Sequence, residues 1–538
     1  MESITIIWMV FLLALVFAIL LTPFSMHLAR KLGAVDTPNE RSVHAQATPR
    51  LGGVGIGISL VVTISFYISL DAFNSGFLVG LLIIFLTGLL DDVKSISHRL
   101  KFFGEILAVV AFIGISGSEL TGVGDLFGFG AIHFGPLSFV VTIVCMVGLI
   151  NAMNLSDGLD GLAGGLAVIA SLFFALLAYK TGQQSALLIS LAMAGSLIGF
   201  LMYNSFPARL FMGDVGSLMI GYTCAVLAVQ LTQAGDGSAV QPITIALILA
   251  VPLLDTLIVM GKRIRQGSSP FLPDNTHMHH RLLGLGLSQN QSVSVLYALM
   301  FLYGFIALSG WSLEAYWKFY GALLLTGLIY RSVSMLRDNP WRLVMVMFAW
   351  GASLERLEKQ QHERLAGLWI HFSRVLPNLI LALFLLPIAF LDGALGREIW
   401  LLPLACIALL YLFRNHNVRI VGLLHGLLYL IILTLFFVYQ TSLPSLWWHS
   451  YYWPVLLCIS MLWIVLSLFI GHMRRLLSLH SFEVLLIMIS WLGVFVLMPM
   501  LNASSSDVHG LRMICVYAIP MLLMAKLALM PRRQEAVS

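Results

Sequence analysis

The sequence predicts an all-α polytopic membrane protein, with about eleven transmembrane helices in an N-terminal part and about six more in a C-terminal extension. Three observations carry that prediction. Of the 538 residues, 59% are hydrophobic and only 10% are charged, against about 25% charged in an ordinary soluble domain. The mean hydropathy is +0.94. The apolar residues also come in runs close to the roughly 20 residues that a spanning helix needs. A soluble or disordered chain cannot keep so much apolar surface in water. The runs also lack the alternation of a membrane β-barrel strand.

In chain order the expected span cores are 4–21, 54–70, 77–90, 103–115, 137–150, 162–179, 186–202, 218–231, 243–260, 293–308 and 319–329. After a polar interval come 376–390, 399–413, 420–439, 455–470, 484–500 and 514–527. The first run ends without a small-residue cleavage pattern, so it is read as a retained first helix. Orientation follows from Lys and Arg, which favour cytoplasmic loops. With the N-terminus outside, Arg30, Lys31, Arg41, Arg50, Lys94, Arg99, Lys101, Lys262, Arg263, Arg265 and Arg281 all fall inside. So do Arg337, Arg342, Arg356, Lys359, Arg364, Arg374, Arg414, Arg419, Arg474, Arg475, Arg532 and Arg533. Only Lys180, Lys318, Arg397 and Arg512 fall near outer ends.

The chain divides near residue 336. Residues 1–336 form a membrane-embedded part whose inner loops are rich in Asp, Asn, His and Gly. Residues 337–375 read either as a plain cytoplasmic linker or as an amphipathic helix on the inner surface, with Leu354, Leu357, Leu365, Leu368 and Phe372 on one face. Residues 376–538 form a transmembrane extension whose role the sequence leaves unread. The five cysteines, Cys145, Cys224, Cys406, Cys458 and Cys515, all sit in apolar stretches without a CxxC pair. They read as small packing residues rather than as a disulfide or metal site.

Five inner loops concentrate reactive side chains. They hold Asp36 to His44 with Arg50; Asp91 and Asp92 with Lys101; Asn154, Asp157 and Asp160; Asn204 and Asp214; and His277, His279, His280 and Arg281. Asp91, Asp92, Asp157, Asp160 and Asp214 all stand at inner helix ends, where carboxylates are costly and usually functional. Five converging carboxylates repel one another unless a cation neutralises them. Hard oxygen donors without cysteine favour Mg²⁺, or alternatively Mn²⁺, over zinc. Such an ion, sharing its shell with water and phosphate oxygens, is the usual arrangement for phosphoryl chemistry. Glycines Gly158, Gly161, Gly213 and Gly216 let backbone approach a phosphate closely, and Lys101 and Arg281 supply positive charge. The adjacent His279 and His280 cannot easily share a tetrahedral zinc site with His277. Asp255, inside an apolar run beside Pro252, reads as a buried polar contact.

Together the segments DTPNERSVH, GLLDD, NAMNLSDGLDGLAGG, NSFPARLFMGDVGSL and SPFLPDNTHMHHRLL resemble the polyprenyl-phosphate N-acetylhexosamine-1-phosphate transferase family. The likeness covers roughly residues 1–336 and is greatest to undecaprenyl-phosphate GlcNAc-1-phosphate transferases. It implies transfer of a sugar 1-phosphate from a UDP-sugar, UDP-GlcNAc first, to undecaprenyl phosphate. The products are an undecaprenyl diphosphate sugar and UMP, and the step starts a cell-envelope glycan. A UDP-N-acetyl-6-deoxyhexose or a phospho-MurNAc-pentapeptide donor is the alternative.

By the same resemblance Asp214 and Asp160 match metal positions, with Asp157 the other candidate ligand. Asp91, Asp92, Asp157 and Lys101 match catalytic positions at the lipid phosphate and the diphosphate. Asn154, Asn204, His277, His279, His280 and Arg281 match substrate-binding positions. The resemblance further implies the bacterial inner membrane, a site facing the cytoplasm and a homodimer, with no nucleic-acid partner. Ser42 and Asn275 stand where the family often has basic residues, and the extension beyond 336 has no counterpart in typical members. The rival class, a transporter, would place ionisable residues mid-span, and only Asp255 offers itself.

Overall fold

The computed structural model describes residues 2–36, 47–233, 240–269, 276–309 and 313–338, and the single residue Leu485. The chain separates into two compact units, Met1–Pro340 with His480–Ile489, and Trp341–Leu479 with Ser490–Ser538. All described residues belong to the first. The expected linker beyond residue 338 and the six spans of the extension lie outside the described residues, apart from Leu485.

Thirteen α-helices and two short two-stranded ribbons make up the described part. Helix α1 (Glu2–Leu32) leads to the ribbon β1 (Val35–Asp36) and β2 (Thr48–Pro49), then to α2 (Gly52–Ser65), α3 (Ala72–Lys94) and α4 (His98–Ser116). A second ribbon, β3 (Gly122–Gly124) with β4 (Ile132–His133), precedes α5 (Ser138–Leu155), α6 (Leu162–Lys180), α7 (Gln184–Asn204) and α8 (Gly213–Thr232). The chain closes with α9 (Pro242–Ile248), α10 (Ala250–Arg265), α11 (Met278–Gly284), α12 (Gln289–Ser309) and α13 (Ala315–Asp338). Both ribbons are antiparallel.

Each of the eleven expected N-terminal span cores coincides with a helix, if α9 and α10 count as one. By length and composition, however, seven helices among the described residues can cross a membrane, or eight with the α9–α10 pair. The multi-pass architecture stands, and the count of eleven is met only in part. Helix α2 has 14 residues and ends short of the expected core. Helix α4 carries Arg99, Lys101 and Glu105 in its first two turns. Helices α9 and α10 meet at an 88° bend. The bend has a local cause: Pro252 has no N–H to return to the carbonyl of Ile248, so the ladder cannot run through.

Local chemistry sets the helix ends that matter. The Asp71 side chain accepts the N–H of Asn74 at 2.8 Å and starts α3, as an N-cap should. Ser95, with φ 51°, stops it in the left-handed region. Gly117, with φ 67°, stops α4 the same way.

Helices α6, α7 and α8 form the buried centre, and α1, α3, α5 and α12 pack round them with one face outward. On α1 that face is Met9, Leu12, Val16, Leu20 and Phe24, all exposed. On α3 it is Leu82, Leu86 and Leu90. Three- and four-residue spacing lines these side chains up, and a bilayer is the solvent that suits such a stripe. One deep polar contact ties three helices: Ser59 donates to the Ala14 carbonyl at 2.7 Å and lies 2.8 Å from the Ser196 hydroxyl. Helices α2 and α8 touch backbone to backbone. A Cβ on Gly53 would lie 2.1 Å from the Gly216 nitrogen, so only glycine permits that docking. The described cysteines, Cys145 and Cys224, are free thiols.

Candidate active site

The inner ends of α3, α5 and α8, with the starts of α2, α4 and α6, gather at one end of the bundle. Backbone bonds join the motifs there. Gly52 and Gly53 donate to the carbonyls of Phe211 and Met212, and Phe211 donates back to Pro49. This brings the end of the first motif against the fourth. Residues 37–46 of the first motif and 270–275 of the fifth lie outside the described residues.

At the centre sits Lys101. Its ammonium donates to Asp214 Oδ1 at 2.6 Å and lies 3.3 Å from Asp91 Oδ2. The Asp91 and Asp214 carboxyl groups also meet each other, a contact that like charges allow only with a cation or a shared proton between them. Asn154 donates to the same Asp214 oxygen and to the Ser217 hydroxyl, both at 2.7 Å. Asp91, Lys101, Asn154 and Asp214, expected together from sequence, are therefore one hydrogen-bonded group built from α3, α4, α5 and α8.

Asp92 does something else. It is buried, and its two oxygens accept the backbone N–H groups of Asp214 and Val215, each at 3.0 Å. Arg50 donates to its carbonyl at 2.9 Å. Asp92 thus anchors the first turn of α8, where backbone donors have no helical partner. Asn204 has a similar occupation. Its amide oxygen accepts from the Gly161 backbone at 3.1 Å and its nitrogen donates to the Leu210 carbonyl at 2.9 Å. Asp160 accepts the Ala208 backbone N–H at 2.9 Å. These two residues tie the third motif to the fourth.

Asp157 keeps some exposure to solvent, yet protein surrounds it closely. That burial, and then the charges of Asp214, Asp92 and Asp160, push its carboxyl up to about 7. Asp157 is thus within electrostatic reach of Asp214, Asp92 and Asp160. Among the described residues, no three His, Cys, Asp or Glu side chains gather closely enough to hold a metal ion by themselves.

The histidine motif closes the site from the side of α10 to α13. His279 packs on the third motif: a Cβ on Gly158 would lie 2.6 Å from its Nε2. The rings of His277 and His279 are stacked with centroids 5.8 Å apart, and His279 and His280 are 4.2 Å apart. Burial, then the nearby His280, holds His279 down to about 3 against the pull of Asp255, so this ring is neutral at physiological pH. Arg281 lies 5.1 Å over the Tyr330 ring and donates from Nε to the Thr276 carbonyl.

Two further groups were not singled out as site residues in the sequence. Buried Glu105, one turn beyond Lys101, accepts a short hydrogen bond from Asn151; a lone carboxylate in an apolar run was its only signal. Asp255 and Tyr330 bond to each other at 2.7 Å behind the histidine motif. Their partners make Asp255 part of this end of the bundle rather than a mid-membrane ion site.

A cluster of acids around one lysine, backed by glycine loops, thus stands at one end of a bundle of apolar helices, the architecture of a polytopic membrane protein. Residues 74–232 match the model of glycosyl transferase family 4. The chain is similar to a probable undecaprenyl-phosphate N-acetylglucosaminyl 1-phosphate transferase of Bacillus subtilis (strain 168), 36% identical over 301 residues, 55% of this chain and 83% of the relative. It is 31% identical over 344 residues to an undecaprenyl-phosphate alpha-N-acetylglucosaminyl 1-phosphate transferase of Yersinia pestis, 62% and 92% of the two chains. A decaprenyl-phosphate N-acetylglucosaminephosphotransferase of Mycobacterium tuberculosis is 34% identical over 307 residues, 50% and 74%. The chain belongs to glycosyl transferase family 4.

Proposed function

We propose that this protein is a phosphotransferase that moves N-acetylglucosamine 1-phosphate from UDP-GlcNAc to undecaprenyl phosphate. An oxygen of the lipid phosphate bonds to the sugar-linked phosphorus. The bond from that phosphorus to the bridging oxygen breaks, and UMP leaves with the electron pair. The product is undecaprenyl diphosphate N-acetylglucosamine, the starter of a cell-envelope glycan.

The observation that carries this reading is the shared lysine. Lys101 between Asp91 and Asp214 puts a positive charge beside two carboxylates where two anionic phosphates have to meet. The names of the relatives supply the substrates, and 83% coverage of the first of them carries the likeness across the catalytic part.

Mg²⁺ is part of the proposal. What supports it is the donor chemistry: every acidic group here is a hard oxygen donor, and none is a thiolate. Too few carboxylates gather for a cage, which suits an ion that keeps water and phosphate oxygens in its shell. Asp214 with Asp160 or Asp157 would hold it. Bound, it would offset negative charge on the transferring phosphoryl group. Asp91 and Lys101 orient the lipid phosphate. Asp157, with its raised carboxyl, takes up a proton near neutral pH. His277, His279, His280 and Arg281 face the sugar nucleotide. Asp92 and Asn204 act through the backbone they hold. The basic residues at this end of the bundle, Arg30, Lys31, Lys94, Lys262 and Arg265 among them, support a cytoplasm-facing site in a bacterial inner membrane.

The test is an assay on membranes or purified protein with undecaprenyl phosphate and a panel of UDP-N-acetylhexosamines. A Mg²⁺-dependent lipid product from UDP-GlcNAc is expected. No such product from any donor overturns the reading.

A further inference from the structure

Asp255 sits on α10 just past the bend, yet its carboxylate serves three other pieces of the chain. Oδ2 lies 2.8 Å from His277 Nδ1. Oδ1 accepts the Met278 backbone N–H at 2.8 Å and the Tyr330 hydroxyl at 2.7 Å. The acid therefore pins the start of α11, the ring of His277 and the side chain of Tyr330 on α13 to one point. Tyr330 in turn lies under the Arg281 guanidinium. Two residues assigned to the substrate, His277 and Arg281, thus both rest on the Asp255–Tyr330 pair.

The chemistry of the contact fixes more than position. An ionised carboxylate only accepts hydrogen bonds, so His277 must donate from Nδ1. The other ring nitrogen, Nε2, is then the atom left for a ligand, an acceptor when the ring is neutral and a donor when it is protonated. An acid that chooses which histidine nitrogen is presented is a recurrent device around working imidazoles. Asp255 does not itself meet substrate. The cavity it lines with Leu254, Tyr303, Thr326 and Tyr330 is about 30 Å³, room for a water but far below the several hundred Å³ of a ligand site. The carboxylate acts through the ring.

We propose that Asp255, supported by Tyr330, is a positioning residue for the donor side of the site. It holds His277 with its proton on Nδ1, so that Nε2 meets the UDP-sugar. This rests on the proposed transferase activity.

The experiment uses the full-length protein with UDP-GlcNAc and undecaprenyl phosphate. Asp255→Asn keeps the shape and can still accept from Tyr330 and Met278. Its amide nitrogen would face Nδ1, however, and force the neutral ring to carry its proton on Nε2. The expected result is a donor KM raised about tenfold or more, with the KM for undecaprenyl phosphate and the unfolding midpoint unchanged. In a His277→Gln background the same change should add less than about twofold, since coupled residues are not additive. Tyr330→Phe, which keeps the ring under Arg281, should move the donor KM in the same direction by less, and it is read in place of Asp255→Asn should that variant not fold. An unchanged donor KM, or effects of Asp255→Asn and His277→Gln that simply multiply, overturns the proposal. No product from the unaltered protein would instead overturn the transferase reading.

Discussion

Asp92 holds the backbone of Asp214: its two carboxylate oxygens take the N–H groups of Asp214 and Val215 at 3.0 Å each. Its neighbour Asp91 points the other way, to Lys101. Adjacent acids in one motif thus have different work. One faces the reacting groups and the other fixes the helix start from which Asp214 projects.

Asp92→Ala should therefore lower both stability and rate. Loss of a helix-start acceptor costs ~1–2 kcal/mol, read as a lower midpoint of unfolding in detergent. Asp92→Asn keeps an acceptor and should fall between the two. Asp91→Asn should instead lower the rate while leaving the midpoint near that of the unaltered protein.

Lys101→Met leaves the Asp91 and Asp214 carboxylates without their shared cation. Turnover should fall at least ~100-fold, in line with loss of an electrostatic group at a reacting centre. With the lysine gone, a divalent ion no longer competes with an ammonium for these oxygens. The Mg²⁺ concentration for half-maximal residual activity should drop, which a titration of metal against rate measures.

The raised carboxyl of Asp157, about 7, sets a pH dependence of stability. An ordinary aspartate titrates near 3.9, so between those values the folded state binds more protons than the unfolded one. Stability then falls as pH rises from about 4 towards 7. The contribution of Asp157 is present at the acid end of that window and lost through about pH 7. In metal-free buffer the unfolding midpoint of Asp157→Asn should decline less over this window than that of the unaltered protein. Parallel curves would contradict the assignment.

Gly158→Ala places a methyl group 2.6 Å from His279 Nε2, and the ring is buried with little room to yield. The variant should fold, because this is a loop end rather than a packed helix. Displacing the histidine motif from the third motif should raise the donor KM by about tenfold, measured with UDP-GlcNAc at saturating lipid phosphate.

Much of this molecule is legible without coordinates. Each N-terminal apolar run marks a helix, and the scarce charges mark one end of the bundle. The acids at 91, 157, 160 and 214 stand out because membrane helices rarely carry such groups. Hydropathy and motif spacing are properties of consecutive residues, so they fix where the apolar helices lie and which loops collect the acids, amides and histidines. They do not fix partners. Lys101 meets Asp214 across 113 residues of chain, and Asp255 meets His277 and Tyr330 only because α10, α11 and α13 converge behind the histidine motif. Asp91 and Asp92 are identical as letters; the packing of α3 against α4 gives one a lysine, and its docking on α8 gives the other two backbone amides. Those choices depend on how the helices sit on one another, at contacts as close as Gly53 on Gly216, and only the tertiary structure decides them.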